Sequence, residues 1–378
     1  MLSSIPRVLS AAERLDWLRL IRSENVGPIT FFQLLQRFSD ARSALAALPE
    51  LARRGGRLKS IRIHDKAAAE REIEQLAKAG ARLIAFGEDD YPAALAAIDD
   101  PPPLIAARGH AHLLKRHMLA VVGARNASAN GRRFAQGIAR DLGKAGMVVA
   151  SGLARGIDAA AHEGAIETGT AAVVAGGVDM SYPRENAALY ERIAAEGVVV
   201  AEEPLGMTPL ARHFPKRNRI ISGMALGVVV VEAAQRSGSL ITARLALEQG
   251  REVFAVPGSP LDPRCHGTND LIRRGATLTE SAADVLEQIK PMLRAPAAER
   301  PAAAYAGPAP APAERGLEKA RSKIVESLGP TPVQVDEIVR QCQLSPAVVA
   351  AVLLELELAG RLDRHPGHQF SLAADAGE

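Results

Sequence analysis

A cluster of cationic side chains around one aromatic ring is the part of this sequence best suited to binding chemistry. Phe214 lies within it, and the apolar run that follows leads to a small polar turn at residues 237–239, which is expected to open a helix. Cations, a ring that can stack on a base and backbone N–H groups at a helix start are together what binding of a polyanion requires. The cationic members of the cluster are Arg212, His213, Lys216, Arg217 and Arg219.

The same residues have a simpler interpretation, in which a solvated helix start carries charges that only aid solubility. Against it, Phe214 and Pro215 stand among the charges, immediately before apolar residues at helical spacing. Aromatic residues make up only 3% of the chain, so a ring beside three cations favours a binding role. Stacking of such a ring on an unpaired base contributes about 1–3 kcal/mol per base.

From residue 118 onward, short apolar runs alternate with longer helical stretches. Continuous Val- and Ala-rich runs separated by helices predict an α/β fold with a doubly wound parallel sheet, its strands buried on both faces. In such sheets ligands bind beyond the carboxyl ends of the strands. The predicted strands of this parallel sheet are residues 119–122, 148–150, 171–175, 198–201, 228–231 and 253–256, and a separate short strand is predicted at residues 82–86.

The residues directly after these strands are rich in glycine and serine, which lets a ligand approach the backbone closely. Arg125 follows the first strand and would direct a fixed cation at the same crevice. The first turn reads Gly123-Ala124-Arg125, so the sequence lacks the G-x-G-x-x-G fingerprint of dinucleotide binding, and it also lacks a Walker A motif. We therefore expect no nucleotide cofactor.

Hydrolytic catalysis has weaker support. Asp158 and His162 lie one helical turn apart, but we expect Asp158 to cap or line a helix start and His162 to pack or face solvent. Glu202, Glu203 and Glu232 are acid–base candidates, yet the arginines at the same edge predict that these carboxylates orient cations instead. Neither a catalytic triad nor a metal-binding spacing is recognisable, so no catalytic residue and no metal site are expected.

Length and composition bound the remaining possibilities. A chain of 378 residues with 47% hydrophobic and 24% charged residues is expected to form two or three soluble domains. The formal net charge is only +3, so an anion site must be a local patch. Cys265 and Cys342 lie far apart and no signal peptide is recognisable, which favours a cytoplasmic location. No apolar run approaches the ~18 residues of a membrane span.

Smaller modules are predicted on either side of the sheet domain, which is assigned to residues 81–290. Residues 1–80 have the spacing of a helical module, and their Gly-containing turn at 24–30 is typical of a helix-hairpin-helix or of an ordinary helical hairpin. The Ala/Pro-rich residues 291–315 predict a linker. Residues 316–378 predict a winged helix. Its expected helices are residues 317–328, 335–341 and 346–359, followed by strands at 361–364 and 369–372.

Several long stretches, in one order, resemble the DNA-processing protein A family (DprA, also called Smf). They are VVGARNAS, ASGLARGIDAAAH, GGVDMSYPREN, EEPLGMTP, HFPKRNRIISGM, VVVEAAQRSGSLITARLALEQGREVFAVPGSP and HGTNDLIRRGA. The resemblance implies an extended Rossmann fold, together with the SAM-like N-terminal domain and C-terminal winged helix of some members. It also implies a homodimeric single-stranded-DNA-binding protein that protects incoming DNA in natural transformation, loads the RecA recombinase and has no established enzymatic activity.

Carried over to matching positions, the family's DNA pocket corresponds to Arg125, Ser151, Gly152, Phe214, Arg217, Asn218 and Arg219, with Lys216, Ser237, Gly238 and Ser239 as expected neighbours. The last helix of the winged helix departs from a DNA-reading helix. It lacks Lys and Arg, and its Glu355 and Glu357 would repel phosphates. We expect this module to contact protein, or DNA only weakly through Arg361 and Arg364.

Two other functions remain open. The first is an enzyme of the lysine-decarboxylase-like Rossmann type that processes nucleotide monophosphates, although the loop PGSPLDP lacks the glutamate context of those enzymes. The second is a transcription factor that reads duplex DNA through the winged helix, which the acidic third helix disfavours.

Overall fold

The computed structural model describes residues 8–294, 316–365 and 367–373. These residues form two compact units, one of residues 71–294 and the other of residues 9–70 together with the described C-terminal residues. The predicted linker lies outside the described residues from residue 295 onward. Its first four residues complete a helix instead, because Leu293 continues the apolar face of that helix.

The N-terminal part of the smaller unit consists of three helices, as the spacing of its apolar residues predicts. The first begins with a capping box, in which Ser10 and Glu13 satisfy each other's backbone N–H groups. The second begins at Pro28, directly after Gly27. The helices are α1 (Ala11–Arg22), α2 (Pro28–Phe38) and α3 (Ala41–Arg54).

The larger unit is built on a sheet of nine strands. The strands are β1 (Ala81–Ala85), β2 (Leu104–Gly109), β3 (Met118–Gly123), β4 (Val148–Ser151), β5 (Thr170–Val173), β6 (Val198–Ala201), β7 (Gly227–Val231), β8 (Glu252–Ala255) and β9 (Thr277–Leu278). Its helices, the first of which begins five residues before residue 71, are α4 (Lys66–Lys78), α5 (Ala93–Ala96), α6 (Ala129–Lys144), α7 (Ile157–Ala165), α8 (Ala187–Glu196), α9 (His213–Met224), α10 (Gly238–Glu248), α11 (His266–Arg273) and α12 (Ala282–Arg294).

The strand order is β1-β2-β6-β5-β4-β3-β7-β8-β9. Neighbouring strands from β6 to β9 in this order pair in parallel, whereas β2 pairs antiparallel with both β1 and β6. The chain winds outward from β3 to β6 and then returns to β7 on the other side of β3, which makes the carboxyl end of β3 the topological switch point. All six predicted strands are confirmed in this mostly parallel sheet. The short strand predicted at residues 82–86 is β1, whereas β2 and β9 were not predicted.

Both faces of the sheet are covered because successive strand residues point to opposite sides. Ala120 and Val122 of β3 share a core with α9 and α10, whereas Leu119 and Val121 share a core with α6, α7 and α12. Helices α7 and α9 therefore lie on opposite faces, and each begins near the carboxyl edge of the sheet.

The C-terminal residues form the predicted winged helix, with one short additional strand. Its elements are α13 (Leu317–Ser327), β10 (Val333–Gln334), α14 (Val335–Cys342), α15 (Pro346–Leu358), β11 (Leu362–His365) and β12 (Gln369–Leu372). The N-terminal helices and the winged helix, which the sequence predicts as separate modules, lie in one compact unit. The physical reason is that Leu354 and Leu358 of α15 join the core formed by α1, α2 and α3.

Candidate nucleic-acid interface

Arg217 occupies the centre of the candidate site, at the turn that follows β4. Its side chain extends from α9 over the backbone of Gly152, where an added Cβ would lie 1.4 Å from the Nη1 atom of Arg217. Arg217 is only 7% exposed, yet among the described residues no group forms an ion pair or hydrogen bond with its guanidinium, and its Nε is buried without a partner. A buried cation that lacks a bonded anion is expensive, and it marks a place where an anionic ligand would be stabilised.

The charge balance around Arg217 agrees with this geometry. Burial lowers the pKa of Arg217 to about 10; the Asp158 carboxylate opposes that change and the positive charge of Arg125 adds to it. Even so, Arg217 is fully charged at pH 7. Two arginines thus face one carboxylate, and the local excess of positive charge suits a phosphate.

An aromatic ring covers this cationic site. The ring centroid of Phe214 is 5.2 Å from the Cζ atom of Arg125 and 5.9 Å from that of Arg217, so both guanidinium groups lie within cation–π distance. Phe214 is partly buried, whereas Arg125 is exposed. The arrangement brings together three of the residues that the sequence singled out, from the turn after β3 and the first turns of α9.

Tyr182 is a neighbour of Phe214 that was not predicted from the sequence. Its ring centroid lies 5.8 Å from that of Phe214 with an interplanar angle of 55°, and its side chain is 49% exposed. A tyrosine next to a proline, in a chain with only 3% aromatic residues, was the signal available in the sequence. Tyr182 also lies in the stretch GGVDMSYPREN that carried the family resemblance.

Asp158 and His162 lie on α7, near Arg217. Asp158 is the second residue of α7 and its carboxylate accepts a hydrogen bond from the Ala154 N–H at 3.3 Å, as expected of a residue lining a helix start. Burial raises its pKa, and the nearby Arg217 opposes that rise. His162 is fully buried with Nδ1 2.7 Å from the Thr170 hydroxyl, so it packs and does not face solvent. Burial, with the charge of Arg217 acting in the same direction, lowers the pKa of His162 to about 3.

Arg219 has a different environment, although it lies only two residues from Arg217. Its Nη2 is 2.5 Å from the Glu202 carboxylate, its Nε is 3.4 Å from the Asp100 carboxylate, and its Nη1 donates to the Asp100 carbonyl at 2.6 Å. Burial alone would lower the pKa of Arg219, but these two carboxylates raise it. Its guanidinium is therefore engaged within the protein, and the geometry argues against the expectation that Arg219 contacts a ligand.

Ser151 is likewise engaged within the protein. Its side chain is fully buried and its hydroxyl donates to the Val121 carbonyl of β3 at 2.6 Å. Such a hydroxyl fastens β4 to β3 at their carboxyl ends. The hydroxyl of Ser151 is therefore not available to a ligand.

The remaining candidates border the site along α9 and α10. Lys216 is exposed and has no ion pair to any described residue. The Asn218 amide donates to the Gly238 carbonyl at 3.5 Å and so links the two helices. Ser237 caps α10, and its hydroxyl is 2.7 Å from that of Ser239. These residues form a polar margin, of which Lys216 and Gly238 are the exposed members.

Two of the three candidate acid–base glutamates are bonded to other residues, whereas Glu203 forms no hydrogen bond or ion pair with any described residue. Glu202 pairs with Arg219, as predicted for a carboxylate that orients an arginine. The same prediction is wrong for Glu232, whose carboxylate accepts from the N–H and hydroxyl of Ser128 at the start of α6. Near Arg217 the arrangement can neutralise an anion and stack a planar group.

Two further properties follow from the described part of the chain. Within residues 8–294, 316–365 and 367–373, no three His, Cys, Asp or Glu side chains cluster in a way that could hold a metal ion. In the same ranges no single helix is long and apolar enough to cross a bilayer, and α14 and α15 reach that length only as a pair bent by 115°.

The chain is similar in sequence and in fold to known proteins. The chain is 43% identical over 213 residues to the DNA processing protein DprA of Bacillus subtilis, which covers 56% of this chain and 72% of that protein. It is 38% identical over 293 residues to Protein Smf of Escherichia coli, with 75% and 76% covered. The X-ray structure of DprA from Streptococcus pneumoniae matches with a TM-score of 0.61 and 34% identity, over 74% of this chain and 99% of that chain.

A second solved structure, DNA processing protein A from Helicobacter pylori, matches with a TM-score of 0.51 and 26% identity, over 56% of this chain and 96% of that chain. Family models account for each part of the chain. Residues 82–290 match DNA recombination-mediator protein A, residues 11–75 the DprA-like N-terminal HHH domain, and residues 308–368 the DprA winged helix domain. The chain therefore belongs to the DNA recombination-mediator protein A family, whose curated members are named DprA or Smf.

Proposed function

We propose that this protein binds single-stranded DNA at the edge of the sheet where Arg125, Gly152, Phe214 and Arg217 meet. The observation that carries the proposal is the buried guanidinium of Arg217, which has no bonded anion among the described residues. A backbone phosphate on the turn after β4 would supply that anion. Arg125, exposed on the turn after β3, would contribute a second cation to the same or the next phosphate.

The aromatic ring supports a preference for a single strand over a duplex. The Phe214 ring lies within 6 Å of both guanidinium groups, so a phosphate bound there brings the adjoining base to the ring. Bases in a duplex are already stacked and paired, whereas an unpaired base is free to stack on Phe214. Such binding reads no hydrogen-bonding pattern, and we expect little dependence on base sequence.

The committed carboxylates support binding without catalysis. Glu202 is paired with Arg219, Glu232 is bonded to Ser128, and Asp158 is held near Arg217. The nucleotide-processing alternative requires an acid–base pair that faces the ligand, and these residues are poorly suited to that role. We propose that the protein is not an enzyme.

The relatives support a role in DNA recombination. The Bacillus and Streptococcus proteins are named DNA processing proteins, and the Helicobacter structure is named for its single-stranded DNA binding mode. We propose that this protein acts in the same way in the cytoplasm, as a homodimer that protects incoming single strands during natural transformation and transfers them to the RecA recombinase. Two free cysteines, Cys265 and Cys342, suit a reducing compartment.

Fluorescence anisotropy with an oligo-dT strand and with a duplex of equal length, over a series of salt concentrations, tests the DNA-binding proposal. We expect tight binding of the single strand, weak binding of the duplex and a steep salt dependence. Arg217→Met keeps the side-chain volume but removes the charge, and Arg125→Ala removes the second cation. Each should weaken binding by about tenfold or more and reduce the salt slope by about one unit.

Arg140→Met is the matched control. Arg140 lies near the far end of α6, away from the carboxyl edge of the sheet, and is paired with Asp141 at the surface. It should bind like the parent. If Arg217→Met and Arg125→Ala both bind as tightly as Arg140→Met, the site is misassigned. Release of a free base from a nucleotide monophosphate, detected by chromatography, would support the enzymatic alternative instead.

A further inference from the structure

Helix α15, the third helix of the winged helix, is buried on two sides. Val352 and Leu356 pack in the core of the winged helix, whereas Leu354 and Leu358 pack in the core of α1, α2 and α3. Over the last two turns of α15 only Glu357 keeps partial exposure. A helix that reads DNA must leave one face free to enter the major groove. The last two turns of α15 have no such face, and the more exposed first turns, residues 346–351, carry only Pro, Ala and Val, which offer no side-chain hydrogen bond to a base edge.

A glycine makes the close approach to α15 possible. Gly55 follows α3 with φ −65°, a right-handed conformation that any residue adopts, so the backbone itself does not require glycine. A Cβ at this position would nevertheless lie 2.0 Å from the Glu355 carbonyl oxygen and 2.7 Å from the Ala359 Cβ. Glycine is needed at position 55 only because α15 packs against the end of α3.

The turn between α1 and α2 also contacts α15. The Asn25 side-chain amide donates a hydrogen bond to the carbonyl of Leu358, the last residue of α15, at 3.1 Å. Carbonyl groups at a helix C-terminus lack partners within the helix, so Asn25 acts as a cap supplied from outside it. The amides of a helix-hairpin-helix turn can hold a phosphate, but here one of the polar side chains of the turn binds protein.

Charges at this contact are matched within the protein. Glu355 is fully buried, with its carboxylate 2.5 Å from Arg321 of α13. It also interacts with Arg37 of α2: burial lowers the pKa of Arg37 and the charge of Glu355 opposes that lowering. The expectation that Glu355 and Glu357 are displayed to repel phosphates is therefore wrong, since Glu355 is inside and Glu357 is paired with Arg364 at 2.6 Å.

The two arginines considered for weak DNA contact are engaged as well. Arg364 is held by Glu357 and lies over the ring of Phe370, with 4.4 Å between its Cζ atom and the ring centroid. Arg361 reaches the Gly55 carbonyl at 3.5 Å. Neither guanidinium is displayed alone to solvent as a phosphate ligand would be.

From these contacts we propose that α15 serves as a docking surface within the protein. The segment that docks on it is the helical module α1–α3 of the same chain. The winged helix accordingly joins the two ends of the chain and does not read duplex DNA. Three features make this contact specific. A Cβ at Gly55 would collide with α15, and the Asn25 amide donates to the last carbonyl of α15. The buried Glu355 carboxylate interacts with one cation of the winged helix and one of the α1–α3 module.

Hydrogen–deuterium exchange on the full-length chain tests the docking. In the parent, the amides of α15 and of the turn at residues 24–27 should be protected, and hundredfold dilution should leave that protection unchanged because the occupant is in the same chain. Gly55→Ala inserts a Cβ against Glu355 and should speed exchange at both segments by about ten- to a hundredfold. Gly27→Ala is the control, since a Cβ there has nothing within 4 Å.

A second variant distinguishes loss of docking from a general folding defect. Asn25→Asp replaces the donor to Leu358 by a carboxylate, and Asp tolerates the positive φ of 58° at this position. It should also speed exchange in α15, while the strands of the larger unit keep parental protection. Protection that is lost on dilution would mean that the α1–α3 module docked on α15 belongs to a second copy of the chain. Parental exchange in both variants, or tighter duplex binding by Gly55→Ala, would overturn the proposal.

Discussion

The guanidinium of Arg217 occupies the space that a side chain at Gly152 would need. An added Cβ at Gly152 would lie 1.4 Å from Nη1 and 2.4 Å from Cζ of Arg217. The turn after β4 and the second turn of α9 therefore meet only because position 152 carries no side chain. This contact brings the buried charge to the backbone edge at which ligands of doubly wound sheets bind.

Substitution of Gly152 by Ala should displace Arg217 and weaken single-strand binding by about tenfold or more, because the guanidinium cannot stay where it is. Anisotropy with oligo-dT measures the change. Gly137→Ala is the matched control, since this glycine lies inside α6 with nothing within 4 Å of an added Cβ. It should bind like the parent and be more stable by about 0.5–1 kcal/mol. Equal affinities of the two variants would contradict the importance of the Gly152–Arg217 contact.

Removal of the aromatic ring should weaken binding without changing its salt dependence. Phe214→Leu keeps an apolar side chain but loses the π-face, with an expected cost of about 1–3 kcal/mol in binding free energy. The slope of log affinity against log salt should stay parental because no charge is removed. Phe214→Tyr, which keeps the ring, is the control. A changed slope in Phe214→Leu would mean that the ring acts by positioning the arginines and not by stacking.

Tyr182 should act on the same base as Phe214, whose ring it contacts at 5.8 Å. Tyr182→Leu should weaken oligo-dT binding, and its effect should be smaller in a Phe214→Leu background because one stacked base is shared. Anisotropy on the two single variants and the double variant closes this cycle. Strictly additive losses of binding free energy would show that the two rings bind independently.

Substitution of the two buried arginines of α9 should have different effects, one on DNA affinity and the other on the free energy of unfolding. Arg219→Met leaves Glu202 and Asp100 without their cation, which should lower the free energy of unfolding by about 3–5 kcal/mol. Arg217→Met removes a charge that has no bonded partner, so unfolding should change little while DNA binding falls. Denaturant unfolding followed by circular dichroism, together with anisotropy on folded protein, measures both. The reverse pattern would exchange the roles assigned to these residues.

His162 should make the protein less stable as the pH falls. Its pKa in the folded protein is about 3, compared with 6.5 for an unperturbed histidine. Between these values the unfolded chain binds more protons than the native protein, so stability rises with pH in this window and is lost as the pH falls. From pH 7 to pH 5 the free energy of unfolding should decrease by about 2 kcal/mol through this residue alone.

Substitution of His162 by Asn isolates that contribution. The Asn amide can replace Nδ1 in the hydrogen bond to Thr170 but does not titrate. Urea unfolding at pH 7 and pH 5 should show a smaller loss of stability in the variant than in the parent, by about the same 2 kcal/mol. If both proteins lose the same amount, His162 is protonated in the native protein or does not control the pH dependence.

Much of the fold could be predicted from the sequence because the signals are local. Apolar runs such as residues 228–231 predict buried parallel strands wherever they occur, and all six predicted strands are present. β2 was missed since its apolar run directly follows three prolines, and β9 is only two residues long. Glycines and serines after the strands likewise predicted the edge at which a ligand would bind, because that edge follows from the topology.

The roles of neighbouring cations could not be predicted in the same way. Arg217 and Arg219 are chemically identical and two residues apart, but they leave α9 in different directions. Arg219 meets Asp100 and Glu202, one of which is more than a hundred residues away in sequence, whereas Arg217 meets the bare backbone of Gly152. Which carboxylates the fold delivers to each arginine depends on the whole sheet.

The sequence by itself determined the sheet, the winged helix and the cluster of Phe214 with its cations, since apolar periodicity and composition are properties of short segments. Only the tertiary structure decided that Arg217 is buried without a bonded anion, that Ser151 is bonded to Val121, and that α15 is covered by α1–α3. These outcomes depend on long-range packing, because burial and pairing are set by which segments meet in space and not by the residues alone.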